Sequence, residues 1–186
     1  MLERVLEPEV MDTEAEAIEY DAMDFQGVNG DFAQAAVYLA PPQGTVLDVG
    51  TGTARIPILL ARLRPAWQIT AIDLARSMLA IAARNIQKAG CESQIRLEFV
   101  DAKRLPYASG SFDGVISNSL LHHLPNPVES LREIKRVLKP HGFLLIRDLI
   151  RPDSLEKLDQ QVTAIAPDYT PHQRQLFRDS LHAALT

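Results

Sequence analysis

The chain has 186 residues, of which 46% are hydrophobic and 23% are charged, and its formal net charge is −5. This length suffices for one domain with a sizeable core, and the negative charge weighs against nucleic acid as the main partner, because phosphate binding requires a basic face. The single Cys91 excludes an internal disulfide and a multi-cysteine metal site, which indicates a reducing cytoplasm. No metal site is predicted.

Residues 1–40 are predicted to form a helical lead-in. The first ten residues lack the apolar stretch of a secretory signal, and no apolar run in the chain approaches the roughly 20 residues of a membrane span. The lead-in either packs on the following sheet or lies over a ligand site as a lid. In the second case Tyr20, Met23 and Phe25 would face the ligand.

Two helices are predicted within this lead-in. Thr13 followed by Glu16 is a capping box, which predicts a helix that runs through Tyr20. A second helix is predicted over residues 31–39. Three residues between them are expected to interrupt the helical pattern: Gly27, Asn29 and Gly30.

From residue 45 onward, short apolar runs alternate with helical patterns, which is typical of an α/β protein with a parallel sheet. The predicted strands cover residues 45–49, 68–72, 95–100, 112–117 and 143–149. The predicted helices between them cover residues 54–63, 77–89 and 127–138. Two further helices are predicted at 155–166 and 173–185, and no sixth or seventh strand is predicted.

The segment Val46–Ala54 predicts a strand, a glycine turn and a helix start, which form the ligand-binding corner of a doubly wound sheet. Gly50 and Gly52 stand where the backbone turns sharply or a ligand approaches closely. A dinucleotide fingerprint would need glycine in place of Arg55. Asp48 would also repel a pyrophosphate on this turn, by a few kcal/mol at ~4 Å and an effective dielectric of ~20.

Two more acids end predicted strands. Asp73 follows the glycines by about 20 residues, where a carboxylate can accept both ribose hydroxyls, and Asp101 ends the third strand. Asp48, Asp73 and Asp101 are therefore expected at one edge of the sheet. A ligand with an ammonium and a sulfonium, such as S-adenosylmethionine, fits these acids better than NAD, which leaves an NAD-dependent oxidoreductase as a minor alternative.

Six segments in order resemble the class I S-adenosylmethionine-dependent methyltransferases, and most closely the small-molecule branch that includes the ubiquinone/menaquinone-biosynthesis C-methyltransferases. The segments are 46–53, 72–79, 101–107, 111–118, 121–127 and 131–140, with a weaker match at 20–23. The resemblance implies a Rossmann-like, mostly parallel sheet of order 3-2-1-4-5 and S-adenosyl-L-methionine as the cofactor.

The resemblance also implies roles around the methionine end of the cofactor. Gly50 and Gly52 would pass under the methionine part, and Asp48 would hold its ammonium group directly or through water. Asn118 would face the methionine end and the transferred methyl group. Tyr20 belongs to the weaker N-terminal match.

The same resemblance assigns residues to the adenosyl half. Asp73 would bind the ribose, with Leu74 and Met78 against the adenine. Asp101 would take the adenine amino group, helped by the backbone of Ala102.

His122 and His123 follow the fourth strand at the edge of the predicted site. Either is a candidate general base, although a structural role in the turn is favoured. Asn118 is followed by Ser119, so the Asn-Pro-Pro-Tyr type motif of N-methylating enzymes is missing. This favours a carbon or oxygen acceptor on a small molecule.

The family normally completes its sheet with a sixth and a seventh strand, and both are missing from this pattern. Either the chain is a fragment, or a partner completes the sheet, or the C-terminal helices cover the edge, which would otherwise invite aggregation. The expected domains are the lead-in, a cofactor-binding domain over 41–152 and C-terminal helices over 153–186.

The expected function is in-line transfer of a methyl group from S-adenosylmethionine to a small-molecule acceptor. The alternative is a truncated or non-catalytic cofactor-binding module. No nucleic-acid partner is expected, and a homodimer is left open.

Overall fold

The computed structural model describes residues 2–7 and 12–186. The helices are α1 (Glu14–Ala22), α2 (Gln26–Leu39), α3 (Arg55–Leu63), α4 (Arg76–Ala89), α5 (Pro127–Val137), α6 (Leu155–Ile165) and α7 (Pro171–Ala183). The strands are β1 (Gly44–Val49), β2 (Trp67–Asp73), β3 (Ile95–Phe99), β4 (Phe112–Asn118) and β5 (Leu138–Arg147).

The five strands form one sheet in the order β3-β2-β1-β4-β5. Every neighbouring pair is parallel, as crossover helices between successive strands require. The predicted doubly wound, Rossmann-like fold is therefore confirmed. Within the described residues no strand follows β5, and Ile150 and Leu185 form an isolated parallel bridge.

The core between the sheet and its helices is mostly apolar. The central strands are nearly continuous in buried residues, and Val46, Leu47 and Val49 of β1 are at most 1% exposed. Trp67 is fully buried at the start of β2, where its Nε1–H donates to the carbonyl of Pro41 at 3.0 Å. Strands buried on both faces are expected where helices cover both sides of a parallel sheet.

The prediction that three residues separate the first two helices is wrong. The residues Gly27, Asn29 and Gly30 lie inside α2, which begins at Gln26. The Asp24 side chain accepts from the Gln26 N–H at 2.9 Å at this start. Burial of Phe32, Ala33 and Ala36 holds the helix against the core, so tertiary packing outweighs the low helix propensity of glycine.

Strand β5 begins at Leu138, earlier than the predicted residue 143, because α5 runs directly into it. Phe112 pairs with Leu138, whereas Gly114 already pairs with Phe143, so β5 carries extra residues opposite β4. Pro140 lies in this irregular stretch, where a missing N–H breaks no regular ladder. Pro140 therefore lies at a bulge in β5, and α5 has already ended before this residue.

The described residues form two compact units. The sheet unit comprises residues 12–118 and 128–147, and the helical unit comprises residues 2–7, 119–127 and 148–186. A small apolar cluster forms the centre of the helical unit: Leu2, Leu149, Leu158, Val162, Phe177 and Leu181.

The expected domain boundaries near residues 40 and 152 stay a prediction, and residues 1 and 8–11 of the lead-in lie outside the described part. No helix in the described ranges is long and apolar enough to cross a membrane.

The packing of β4 on β5 yields a stability prediction at Gly114. A Cβ at this position would lie 1.9 Å from Cε1 of the Phe143 ring, and that ring stacks 5.8 Å from Trp67. Gly114→Ala must therefore displace the ring and should lower the free energy of unfolding by about 1–3 kcal/mol. Urea unfolding followed by fluorescence of Trp67, the single tryptophan, measures the change.

Gly30→Ala is the matched control, because a Cβ there meets no atom within 4 Å. It should leave stability unchanged or raise it by up to ~1 kcal/mol. Phe143→Leu should recover part of the loss in the Gly114→Ala background. Equal stability of Gly114→Ala and the wild-type protein would contradict the described packing.

Candidate cofactor site

The glycine turn between β1 and α3 is held by backbone hydrogen bonds to β2. The N–H groups of Gly50 and Thr51 both donate to the carbonyl of Ile72, at 3.0 and 2.9 Å. Gly50 and Gly52 have positive φ angles of 77° and 55°, a conformation that glycine adopts without steric cost. The turn thus folds back over the carboxyl end of β2.

Ala54 ends the turn in the left-handed conformation, with φ 62°. An alanine pays roughly 1–2 kcal/mol for this conformation, and its complete burial keeps it there.

Asp73 connects this turn to the start of α4. One carboxylate oxygen accepts from the Gly52 N–H at 2.8 Å, and the other accepts from the Ala75 N–H at 2.9 Å. Sequence reasoning assigned Asp73 to a ligand and missed this structural role. The expectation that carboxyl ends of adjacent strands meet places Asp73 near the turn, but the hydrogen bond itself depends on how the two turns fold together.

A small cleft, open to solvent, lies beside the turn. It is lined by Tyr20, Asn29, Asp48, Gly50, Thr51, Thr53, Arg55, Ile56 and Asn118. Of the predicted methionine-end residues, Tyr20, Asp48, Gly50 and Asn118 line the cleft, and Gly52 does not. The hydroxyls of Thr51 and Thr53 are buried and have no hydrogen-bond partner among the described residues.

Asp48 is 2% exposed at the base of this cleft. Burial raises its pKa to about 7, the nearby Thr51 hydroxyl opposes this shift, and the negative charge of Asp73 adds to it. A buried carboxylate is costly unless a cation or hydrogen-bond donors balance it. Together with the two unpartnered hydroxyls, Asp48 fits a ligand that carries both an ammonium and hydrogen-bonding groups.

Helix α1 packs over the turn. A Cβ at Gly52 would lie 3.7 Å from the Tyr20 ring, and Asp21 pairs with Arg55 at 3.3 Å. Asn85 donates to the same Asp21 carboxylate at 3.0 Å and to the carbonyl of Thr53 at 3.1 Å. The lead-in is thus fixed to the cleft by polar contacts from both α3 and α4.

The residues predicted for the adenosyl half do not line this cleft. Leu74 is half-buried and Met78 is 6% exposed, next to the end of β2. Asp101 lies two residues beyond the end of β3, and its carboxylate accepts from the Lys103 N–H at 2.8 Å. Ala102 is 8% exposed in the same loop.

Arg147 is a site residue that sequence reasoning missed. It pairs in register with Asn118 across β4 and β5, and its Nε donates to Asn118 Oδ1 at 2.7 Å. The position at the end of a strand beside a cleft residue was the available signal. The sequence alone does not show that this position lies opposite Asn118, because that depends on the register of β4 and β5.

The two candidate histidines belong to the helical unit. His122 is 2% exposed, and its Nδ1 lies 2.5 Å from Asp148 Oδ1. Burial alone would raise the pKa of Asp148, but its hydrogen bond to His122 and the charge of that ring lower it. His123 Nδ1 lies 3.0 Å from the carboxylate of Glu7.

The backbone around these histidines is also tied down. Arg4 donates to the carbonyls of His122 and Leu124, both at 3.0 Å, and to that of Ala183 at 2.7 Å. These contacts favour a structural role for the pair, and a role as general base stays a prediction.

The fold and the glycine-turn site define a class of protein, and comparison with known sequences agrees. The family model described as a methyltransferase domain matches residues 47–146, more than half of the chain. The chain belongs to this methyltransferase family, whose cofactor is S-adenosylmethionine. The predicted resemblance is therefore confirmed.

Named relatives are similar over about two thirds of the chain. Methyltransferase GfsG from Streptomyces halstedii is 32% identical over 124 residues, which cover 67% of this chain and 43% of the relative. The ubiquinone/menaquinone biosynthesis C-methyltransferase UbiE from Desulfotalea psychrophila is 36% identical over 112 residues, which cover 60% of this chain and 44% of the relative. The chain thus spans less than half the length of these two relatives.

Solved structures agree on the fold. A structure from Methanococcus maripaludis, assigned as an S-adenosyl-L-methionine-dependent methyltransferase, superposes with a TM-score of 0.72. The match covers 95% of this chain and 86% of that chain, at 20% identity. At this identity the likeness concerns the fold alone.

The raised pKa of Asp48 yields a pH prediction. The ordinary pKa of an unfolded aspartate is ~3.9, so between about pH 4 and the folded-state value of about 7 the folded protein holds a proton that the unfolded chain releases. Stability should fall as pH rises across this window and level off above it. Asp48→Asn removes the titration. The melting temperature of the variant minus that of the wild-type protein should therefore increase from pH 5 to pH 8.

Asp113→Asn is the control for these thermal scans. Hydrogen bonds from Lys139 and from the Thr45 N–H lower the pKa of Asp113 to about 2, so its titration is complete below pH 5. Its difference from the wild-type protein should stay constant from pH 5 to 8. A constant difference for Asp48→Asn as well would mean that Asp48 is ionised throughout.

Proposed function

We propose that this chain binds S-adenosylmethionine at the glycine turn and transfers its methyl group to a small molecule. The observation that carries the proposal is the buried carboxylate of Asp48 beside the two unpartnered hydroxyls of Thr51 and Thr53. An amino-acid group supplies an ammonium for the acid and a carboxylate for hydroxyl donors. A pyrophosphate would supply only negative charge.

The remaining predicted residues take the adenosyl half in this proposal. Asp73 accepts from two backbone N–H groups. Each carboxylate oxygen can accept more than one hydrogen bond, and we propose that Asp73 also accepts from the ribose hydroxyls. Leu74 and Met78 offer apolar surface for the adenine. Asp101 would accept from the adenine amino group, with the backbone of Ala102 beside it.

The bound cofactor supplies a sulfonium methyl group, which is already activated for displacement. The protein then has to position the acceptor in line with the methyl and exclude water. Tyr20, which precedes the turn in the sequence, and Asn118, which follows it, both line the cleft. We propose that they border the methyl group. A general base is needed only where the acceptor must lose a proton, and His122 or His123 is the candidate.

The name of one relative supports a small-molecule acceptor. One relative, from Desulfitobacterium hafniense, is named demethylmenaquinone methyltransferase and is 35% identical over 114 residues, which cover 61% of this chain and 45% of the relative. Asn118 is followed by Ser119, which departs from the N-methylating motif. A carbon or oxygen acceptor is therefore favoured.

Calorimetric titration of the purified chain tests the proposal. S-adenosylmethionine and S-adenosylhomocysteine should both bind, and NADH should not. Absence of binding by the folded chain at millimolar ligand would refute the proposal, and NADH binding alone would favour an oxidoreductase. Binding without methyl transfer to any component of a metabolite extract would favour a non-catalytic module.

Asp73→Ala should weaken S-adenosylhomocysteine binding by roughly 1.5–3 kcal/mol, because it removes charge-assisted hydrogen bonds to the ribose. Part of any loss would come from the Gly52 N–H, which also loses its acceptor. A ligand without the ribose 2′-hydroxyl separates the two effects. Calorimetry should show a smaller loss for that ligand than for S-adenosylhomocysteine.

Asp153→Ala serves as the control, because this acid pairs with Lys157 in the helical unit. It should leave the affinity unchanged. Unchanged affinity in Asp73→Ala itself would remove Asp73 from the site.

A further inference from the structure

We infer that Arg147 is a positioning residue that turns the amide NH2 of Asn118 into the cleft, as a donor to the carboxylate of the cofactor's amino-acid end. The inference rests on the proposed function and deepens it. It assigns to β5 a part in ligand recognition, through a residue that does not itself line the cleft.

The first step is the orientation of the Asn118 amide. Oxygen and nitrogen of an amide are distinguished by their hydrogen-bond partners. Arg147 Nε lies 2.7 Å from Oδ1 of Asn118, and a guanidinium can only donate. The oxygen must therefore face Arg147, which leaves the NH2 group of this cleft-lining residue for a ligand.

The second step is that Arg147 is itself held in place. Its Nη1 donates to the carbonyl of Val28 at 2.7 Å, and its guanidinium lies 4.9 Å from the centre of the Phe32 ring. In-register pairing of Asn118 with Arg147 fixes the two backbones relative to each other. A planar guanidinium held on several sides loses little further entropy when it orients a partner.

The third step is the character of the cleft. Among its nine lining residues, Asp48 is the single acid. Thr51 and Thr53 contribute buried hydroxyls without a hydrogen-bond partner, whereas Arg55, which also lines the cleft, is already paired with Asp21 at 3.3 Å. An Asn118 amide that points its NH2 inward adds to these hydroxyl donors, which suits a ligand carboxylate and leaves Asp48 for the ammonium.

The affinities for two ligands distinguish a role of Arg147 in recognition from general support of the fold. S-adenosylhomocysteine carries the amino-acid group, whereas 5′-methylthioadenosine has the same adenosyl thioether without it. Arg147→Met should weaken S-adenosylhomocysteine roughly 5- to 20-fold, and Asn118→Asp roughly 10- to 100-fold, as expected for the loss of one charge-assisted hydrogen bond. Both should change the affinity for 5′-methylthioadenosine less than about threefold, a change below 1 kcal/mol.

A double-mutant cycle tests whether Arg147 acts through Asn118. In an Asn118→Ala background, Arg147→Met should have no further effect on S-adenosylhomocysteine affinity. Arg64→Met is the matched control, because Arg64 donates to another carbonyl of α2, that of Val37, at 2.9 Å. It should alter the affinity for neither ligand.

Each other outcome overturns the inference. Equal loss of both ligands in Arg147→Met would show that Arg147 supports the fold alone, and additive effects in the cycle would show that it does not act through Asn118. Unchanged affinities in both single variants would remove the pair from recognition. Failure of the wild-type chain to bind either ligand would instead refute the proposed function, and the inference with it.

Discussion

The hydrogen bond from the Gly52 N–H to the Asp73 carboxylate is the interaction on which the site depends. It joins the turn after β1 to the end of β2 and, through Ala75, to the start of α4. Gly52 can approach this carboxylate because it has no side chain and tolerates a positive φ angle. The same acid is therefore both a brace for the turn and the proposed ribose ligand, which explains why the strand ends there with aspartate.

A second constraint is the cost of burying Asp48. An acid that is 2% exposed, with a pKa raised to about 7, is a poor choice for stability. Functional sites are where such groups are tolerated, because a cationic ligand can repay the cost when it binds. An ammonium beside Asp48 would favour the ionised form and return its pKa toward the ordinary range. Cofactor affinity and stability of the free protein would then oppose each other at this residue.

Most of the fold could be predicted from the sequence because its signals are local. Strands of nearly continuous apolar residues, glycine turns and helix caps lie within short windows, and the capping box at Thr13 and Glu16 formed as predicted. The errors arose where distant packing decides. Gly27 lies within α2 because the buried face of that helix outweighs propensity, and β5 starts early because its pairing with β4 begins at Phe112.

The candidate site could be predicted in part. Asp48 and Asp73 were visible because acids at the ends of consecutive strands stand out in a sequence. The second role of Asp73, as acceptor for Gly52, depends on how two turns fold together, which no local pattern reports. Arg147 was missed for the same reason, since its contact with Asn118 exists only once β4 and β5 are in register.

A crystal structure of the chain with S-adenosylhomocysteine tests the central claim most directly. The account predicts the amino-acid end of the ligand in the cleft, with its ammonium toward Asp48 and its carboxylate toward Asn118. The ribose hydroxyls should lie within hydrogen-bond distance of Asp73. Electron density for the ligand elsewhere on the chain, or in the cleft with its amino-acid end turned away from Asp48, would contradict the account.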